Sequence, residues 1–366
     1  MSRTIAHARA RAAVAAPALA ALLLLAGCAA PPPAATESPD ASGAPEHALE
    51  CAQMVTNSGG LNDRSFNETS WAGMQRAEAE LGVEANVLVS TTESDLAPNV
   101  QAAIDTGCGF VLTVGYELAA ATAEQAAANP DVQFAIVDEI VEAPNVRSIV
   151  FDTAQAAFLA GYAAAAVSES GIVATFGGGN QPPVTLFMDG FAAGIDAYNE
   201  AKGADVQLLG WDPEAQDGTF TGDFENVSNG RAQAAAFLAQ GADVILPVAG
   251  QVGEGAFTAS LDAGGAALVI WVDNDGYDTL PAEFRPILLT SILKNTEDAV
   301  VTAIQDAADG TISDEALIGD LENGGVDIAP FHDLDGRVSA ETKAELEALR
   351  EQIIAGEIEV ESPSSP

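Results

Sequence analysis

Short β-branched runs alternate with alanine-rich stretches of helical spacing along most of this chain. The runs at 51–56, 85–90, 109–114, 132–137 and 146–151 predict strands. Helical windows at 66–82, 94–106 and 117–129 separate them, and a loop joins the last two. A second series repeats the pattern, with runs at 171–176, 204–210, 243–248 and 267–272 and helices at 185–202, 229–240 and 252–263. Gly107, Gly203 and Gly241 each follow a helical window, where a left-handed C-terminal residue is favoured. The alternation predicts an α/β protein with two lobes, each a doubly wound parallel sheet with flanking helices. Residues 47–152 and 290–312 are assigned to an N-terminal lobe, 153–289 and 313–335 to a C-terminal lobe, and 336–361 to a terminal helix. Crossings between the lobes are expected at Asp152 and around Gly276 to Arg285, with a hinge there. A ligand would then lie between the strand C-terminal ends of both lobes.

The two ends of the chain do not fit that pattern. Arg3, Arg9 and Arg11 precede an apolar stretch, Leu19 to Ala26, too short to span a bilayer, so 1–27 reads as a signal peptide. Leu25-Ala26-Gly27-Cys28 resembles a lipobox, with Cys28 the lipidated residue and two acyl chains enough for stable anchoring. Residues 28–46 are rich in Pro, Ala and Ser and read as a disordered tether, and 362–366 as a disordered tail. No later stretch is apolar for long enough to form a membrane-spanning helix.

A formal charge of −41 argues against nucleic-acid binding and would repel anionic substrates unless a local patch overrode it. Cys51 and Cys108 precede the first and third strands, neighbours in a 2-1-3 order. A disulfide between them is expected in an oxidising exterior, with two buried free thiols the alternative. His7, His47 and His332 have no cysteine or histidine neighbours at ligand spacing, so neither a metal nor a cofactor is expected.

The densest chemistry lies in VTNSGGLNDRSFN, Val55 to Asn67, where a strand passes through a Gly-Gly turn into a helix. Asn62, Asp63, Ser65 and Phe66 set amide, carboxyl and hydroxyl groups beside an aromatic ring, which suits a flat, polar, uncharged ligand such as a sugar or nucleoside. No lysine follows the glycines, against a phosphate loop. With GGLNDRSFNETSWAGM (59–74), NPDVQFAIVD (129–138), FLAGYAAA (158–165), VATFGGG (173–179), FMDGFAAGIDAYN (187–199), GADVILPVAGQVGEG (241–255), WVDNDGY (271–277), LLTSILKN (288–295) and GVDIAPF (325–331), the chain resembles the basic membrane protein family. These are substrate-binding lipoproteins of ABC transporters, of the purine nucleoside receptor type and of type I periplasmic-binding-protein fold.

The resemblance, over residues 47–335, implies a lipid-anchored extracytoplasmic receptor that captures a nucleoside for a permease and catalyses nothing. It also implies that a base lies between Phe66 and Phe187, and that Asp273 or Asp275, Lys294 and Asn67 hold the ribose, with the Gly250 backbone at the border. Lys294 is one of three lysines in the chain and follows an apolar run, which is hard to explain by solubility alone. Phe187 could instead be a core residue, and the two aspartates could cap a turn.

The departures fall where base recognition is expected. The first strand of the family usually ends with an acid; here the position is Asn57. After the third strand Leu118 to Ala121 is apolar behind Tyr116 and Glu117, and Glu117 is the candidate substitute acid. The expected partners are therefore a nucleoside, ABC permease subunits and, through Cys28, a membrane; the protein is expected to be a monomer that binds no nucleic acid. A pentose or similar sugar, or a surface role without transport, is the alternative. An enzyme is disfavoured, because the nearest glycine loop, Gly177 to Gly179, runs into Asn180, Gln181 and two prolines.

Overall fold

The computed structural model describes residues 49–366, so the leader, Cys28 and the tether lie outside the described residues. The first lobe begins β1 Cys51–Val55, α1 Phe66–Leu81, β2 Glu84–Leu88, α2 Glu93–Asp105, β3 Phe110–Val114, α3 Ala119–Ala128, β4 Gln133–Val137 and β5 Val146–Phe151. The chain then builds α4 Thr153–Val167, β6 Ile172–Gly177, α5 Pro182–Lys202, β7 Gln207–Leu209 and a small hairpin of β8 Trp211–Asp212 and β9 Asp217–Gly218. It continues through α6 Val227–Ala239, β10 Val244–Val248, α7 Glu254–Asp262, β11 Leu268–Asp273, α8 Gly276–Thr279 and β12 Leu288–Lys294. The last elements are α9 Thr296–Asp309, β13 Leu317–Gly319, β14 Val326–Ile328 and α10 Ala340–Ile354.

Two six-stranded sheets result, in the orders β13-β5-β4-β3-β1-β2 and β14-β12-β11-β10-β6-β7. Every pairing within them is parallel except that of β12 with β14. All five residues of β3 and of β10 are buried, as a parallel sheet covered on both faces requires. Ala52 pairs with Phe110 across β1 and β3, which brings Cys51 and Cys108 to one sheet edge, where a disulfide joins them. In the second lobe α4 is buried on nearly every side. It meets α5 so closely that a Cβ on Gly194 would lie 2.0 Å from the Phe158 carbonyl oxygen.

The expected lobe boundaries need correction. Residues 290–294, assigned above to the N-terminal lobe, belong to β12, which pairs along β11 in the second sheet. β12 lies between β11 and β14, and six of its seven residues are buried, as a strand inside a sheet covered on both faces requires. The N-terminal share of 290–312 is α9, which packs on α1 and places Glu297 and Asp298 against Arg76. Residues 313–335 are split, because β13 pairs with β5 in the first sheet and β14 with β12 in the second.

The chain therefore crosses three times, at Asp152, at Asn295 and through 320–325. The crossings are bonded to their neighbours, with Asp152 N–H donating to the Gly319 carbonyl and Asn295 N–H to that of Gly325, both at 2.8 Å. The stretch from Gly276 to Arg285, expected to cross, instead joins β11 to β12 within the second lobe. The terminal helix is also shorter than 336–361. The tail 362–366 is seated rather than loose: the Ser362 hydroxyl donates to Asp189 at 2.6 Å, and those of Ser364 and Thr185 lie 3.0 Å apart.

Candidate functional site

A cleft, partly open at its mouth, lies between the two sheets. Its lining comes from the C-terminal ends of β1, β3 and β4 in one lobe and of β6, β10, β11 and β12 in the other, with the residues that follow them, and from the loop after β9. Both lobes thus present strand C-terminal ends, where backbone turns aim polar side chains at one volume.

The turn after β1 is organised by Asp63. Its buried carboxylate accepts backbone N–H bonds from Ser65 (3.1 Å), Asn67 (2.8 Å) and Glu68 (3.0 Å), and so satisfies the first turn of α1. Phe66, the first residue of that helix, is thereby aimed into the cleft. Burial pushes the Asp63 carboxyl up to about 6, against the lowering effect of the three N–H donors, and nearby Asp273 pushes the same way as burial.

At the other side of the cleft wall stands Lys294, the last residue of β12 and 3% exposed. Its Nζ lies 2.7 Å from Asp138 and 3.6 Å from Asp273. The same nitrogen is 4.5 Å from the ring centre of Phe66, 5.6 Å from Phe151 and 5.9 Å from Phe187. Burial alone would lower the Lys294 ammonium, but the two carboxylates outweigh it and hold it above the usual lysine range. Burial also raises Asp138, with Lys294 opposing, because one ammonium cannot fully compensate two buried acids.

Asp138, just after β4, and Asp273, the last residue of β11, have φ of 68° and 71°, backbone conformations that non-glycine residues seldom adopt. Such strain is held where the surroundings over-determine it. Ser65 of the first lobe donates its hydroxyl to Asp273 of the second. The cluster therefore ties the lobes together and carries more acceptor oxygens than one ammonium can use, an arrangement suited to hydroxyl donors.

A second polar group surrounds Gly115, whose φ of 120° is open to glycine and strained for other residues. A Cβ there would lie 2.9 Å from Glu117 Oε2 and 3.3 Å from Asn57 Nδ2. Glu117 Oε1 accepts at 2.9 Å from Gln181 Nε2, which stands just before α5 in the other lobe.

Of the residues singled out in the sequence, Asn57, Phe66, Tyr116, Phe187, Gly250, Asp273 and Lys294 line the cleft. Asn62 is exposed on the outside of the turn and contributes no lining. Asn67 lies behind the wall, where its Nδ2 donates to Asn57 Oδ1 and Asp63 Oδ2. Asp275 faces away, accepting from Tyr277 N–H at the start of α8 and lying 2.7 Å from His332. An N-capping position directs its carboxylate along the helix axis rather than into the cleft.

Asp138, Gln181 and Phe224 line the cleft without having been singled out. Asp138 carried a legible signal, as the first polar residue after a strand. Phe224 did not, since it reaches the site from an irregular loop and packs over Gly178. Among the described residues there is no cluster of side chains that could hold a metal ion and no helix long and apolar enough to cross a membrane.

Residues 52–364 match the family model described as Bmp, ABC transporter substrate-binding protein PnrA-like. The ABC transporter nucleoside-binding protein BmpA of Lactococcus lactis subsp. cremoris is 30% identical over 328 residues, 85% of this chain and 89% of that protein. A CD4+ T-cell-stimulating antigen of Listeria monocytogenes is 29% identical, covering 86% and 88%. Among solved structures, an ABC transporter solute-binding protein from Aeropyrum pernix superposes with a TM-score of 0.75 at 25% identity, covering 84% of this chain and 92% of that one. The two parallel sheets, the cleft between them and a match that spans nearly the whole described chain agree: this protein belongs to the Bmp family of PnrA-like ABC transporter substrate-binding proteins, with a type I periplasmic-binding-protein fold.

Proposed function

We propose that the protein captures a nucleoside of purine size between its lobes and hands it to an ABC permease, catalysing no reaction itself. The observation that carries this reading is the burial of Lys294 between Asp138 and Asp273 against the rings of Phe66 and Phe187. A base offers a π-face, and stacking on an aromatic ring contributes about 1–3 kcal/mol. A ribose offers two adjacent hydroxyls, for which ionised carboxylates are strong acceptors and the ammonium a donor. The nucleoside-binding name of the Lactococcus relative supports the same ligand class. Anchoring through a diacylglyceryl group on Cys28, at the outer face of the cell membrane, completes the reading, and the protein acts as a monomer.

A thermal-shift screen against nucleosides, free bases and pentoses tests the ligand class. A ligand at 100 times its dissociation constant adds about 2.7 kcal/mol of stability. Stabilisation by purine nucleosides is expected. Stabilisation by pentoses alone would move the assignment to a sugar receptor, and no response to any nucleoside would end it. Mass spectrometry of the membrane-extracted protein should find the mature N-terminus at Cys28 with its lipid attached.

A further inference from the structure

Asn57 presents only one of its two functions to the cleft. Its Oδ1 accepts from the backbone N–H of Gly59 at 3.0 Å and from Asn67 Nδ2 at 2.7 Å. A backbone N–H can only donate, so the Gly59 contact alone decides which side-chain atom is the oxygen. What remains is Nδ2, two N–H donors with no acceptor among the described residues, turned towards Gly115 in the cleft wall. The turn after β1 thus makes position 57 a donor.

The matching acceptor lies beside it. Glu117 Oε1 is engaged by Gln181 from the opposite lobe, which fixes the carboxylate plane, while Oε2 folds against Gly115 on the side of Asn57. A carboxylate at position 57 would face that of Glu117 across a glycine, and like charges so close disfavour each other. With an amide at position 57 and an acid at 117 the wall offers a donor next to an acceptor.

We propose that Asn57 and Glu117 together set the base specificity of this receptor and that the edge they read is a lactam. Resting on the nucleoside reading above, Asn57 Nδ2 donates to the base carbonyl and the Glu117 carboxylate accepts the adjacent ring N–H, as a 6-oxopurine provides. The base carbonyl accepts one of the two Asn57 Nδ2 protons. Held in that same orientation, an adenine edge would set its amino group against the Asn57 donor and its ring-nitrogen lone pair beside the Glu117 carboxylate. Gln181 holds Glu117 in place from the second lobe, so this wall is complete only when the lobes are together.

Calorimetry with inosine, guanosine, adenosine and 1-methylinosine, on the wild type, Asn57→Asp and Glu117→Gln, tests this. The Asn57→Asp side chain keeps an oxygen for the Gly59 and Asn67 donors, and the Glu117→Gln side chain keeps one for Gln181. Glu117→Gln is therefore expected to melt as the wild type does without ligand, and Asn57→Asp, whose new carboxylate faces Glu117, to fold but melt somewhat lower. The wild type should prefer inosine and guanosine over adenosine and 1-methylinosine by at least tenfold. Asn57→Asp should lose at least tenfold for inosine and gain for adenosine, whose amino group then meets an acceptor, and Glu117→Gln should lose most of the discrimination against 1-methylinosine. Equal binding of inosine and 1-methylinosine, or tightest binding of adenosine, overturns the lactam assignment and leaves nucleoside capture standing. Failure of every nucleoside to bind the wild type overturns both.

Discussion

The buried Lys294 cluster is where single side chains matter most. Lys294, Asp138 and Asp273 compensate one another out of water, so removing one strands the others. Truncating one partner of such a set typically costs about 2–5 kcal/mol. Lys294→Ala and Asp273→Ala are each expected to weaken nucleoside binding at least tenfold, as calorimetry would show. Free base, which lacks the sugar, should bind weakly and discriminate little among the variants; wild-type affinity in Lys294→Ala would remove the ribose contact.

Asp63 supports a separate prediction. Its carboxyl, 3.8 when unperturbed, is pushed up to about 6 by burial, so between these values the folded chain holds a proton that the unfolded chain has released. The stability from this group is complete below about pH 4 and is lost as pH rises through about 6. A shift of that size corresponds to about 3 kcal/mol. Urea denaturation of the wild type and Asp63→Asn at pH 4 and pH 7 should show the wild type losing ground to the variant as pH rises. A difference independent of pH would show that the buried carboxyl does not titrate in that window.

Strands β1 and β3 are tied by the Cys51–Cys108 disulfide at the edge opposite the cleft, closing a loop with a sequence separation of 57. Cross-linking a loop of that length stabilises a fold by about 4 kcal/mol in the chain-entropy account. Cys51→Ser combined with Cys108→Ser should therefore unfold at markedly lower urea concentration yet bind ligand with unchanged affinity while folded, since neither sulfur reaches the cleft. Lost affinity in the folded variant would mean that the edge and the cleft are mechanically coupled. The runs at 109–114 and 243–248 were legible as strands because nearly every position is apolar or β-branched. β13 and β14 were not, because three residues have no measurable period, and their partners lie far away in sequence. Missing β12 misplaced the boundary at 290, and missing β13 put the third crossing at 313 instead of 320–325.

Beyond the cleft the lobes are also joined by Asn274, whose Nδ2 donates at 2.9 Å to the Arg64 carbonyl and lies 3.3 Å from the Thr69 hydroxyl. Asn274 does not line the cleft, so its contribution to affinity can come only through closure. When only part of the population is binding-competent, apparent affinity falls by that fraction. Asn274→Ala should show a larger radius than the wild type by solution scattering without ligand, the same radius at saturation, and several-fold weaker binding. An unchanged radius in the unliganded variant would remove this contact from the closing energetics.

The sequence by itself determined the α/β alternation, the two sheets and the turn from Asn57 to Asn67, because apolar periodicity and turn chemistry are local and burial on both faces of a strand leaves an uninterrupted apolar run. It also pointed to Lys294, a scarce cation placed after an apolar run. Only the tertiary structure decided what that cation meets. Asp138 and Asp273 are far apart in the chain and come together because β4 and β11 end at one cleft in strained turns. The same holds for Asp275, a close neighbour of Asp273 that one more turn of chain directs to a helix start instead. Pairings across sheets and lobes depend on long-range register, which no local pattern encodes, so whether Asn57 offers an oxygen or its N–H donors to the cleft was settled by the Gly59 backbone folding back upon it.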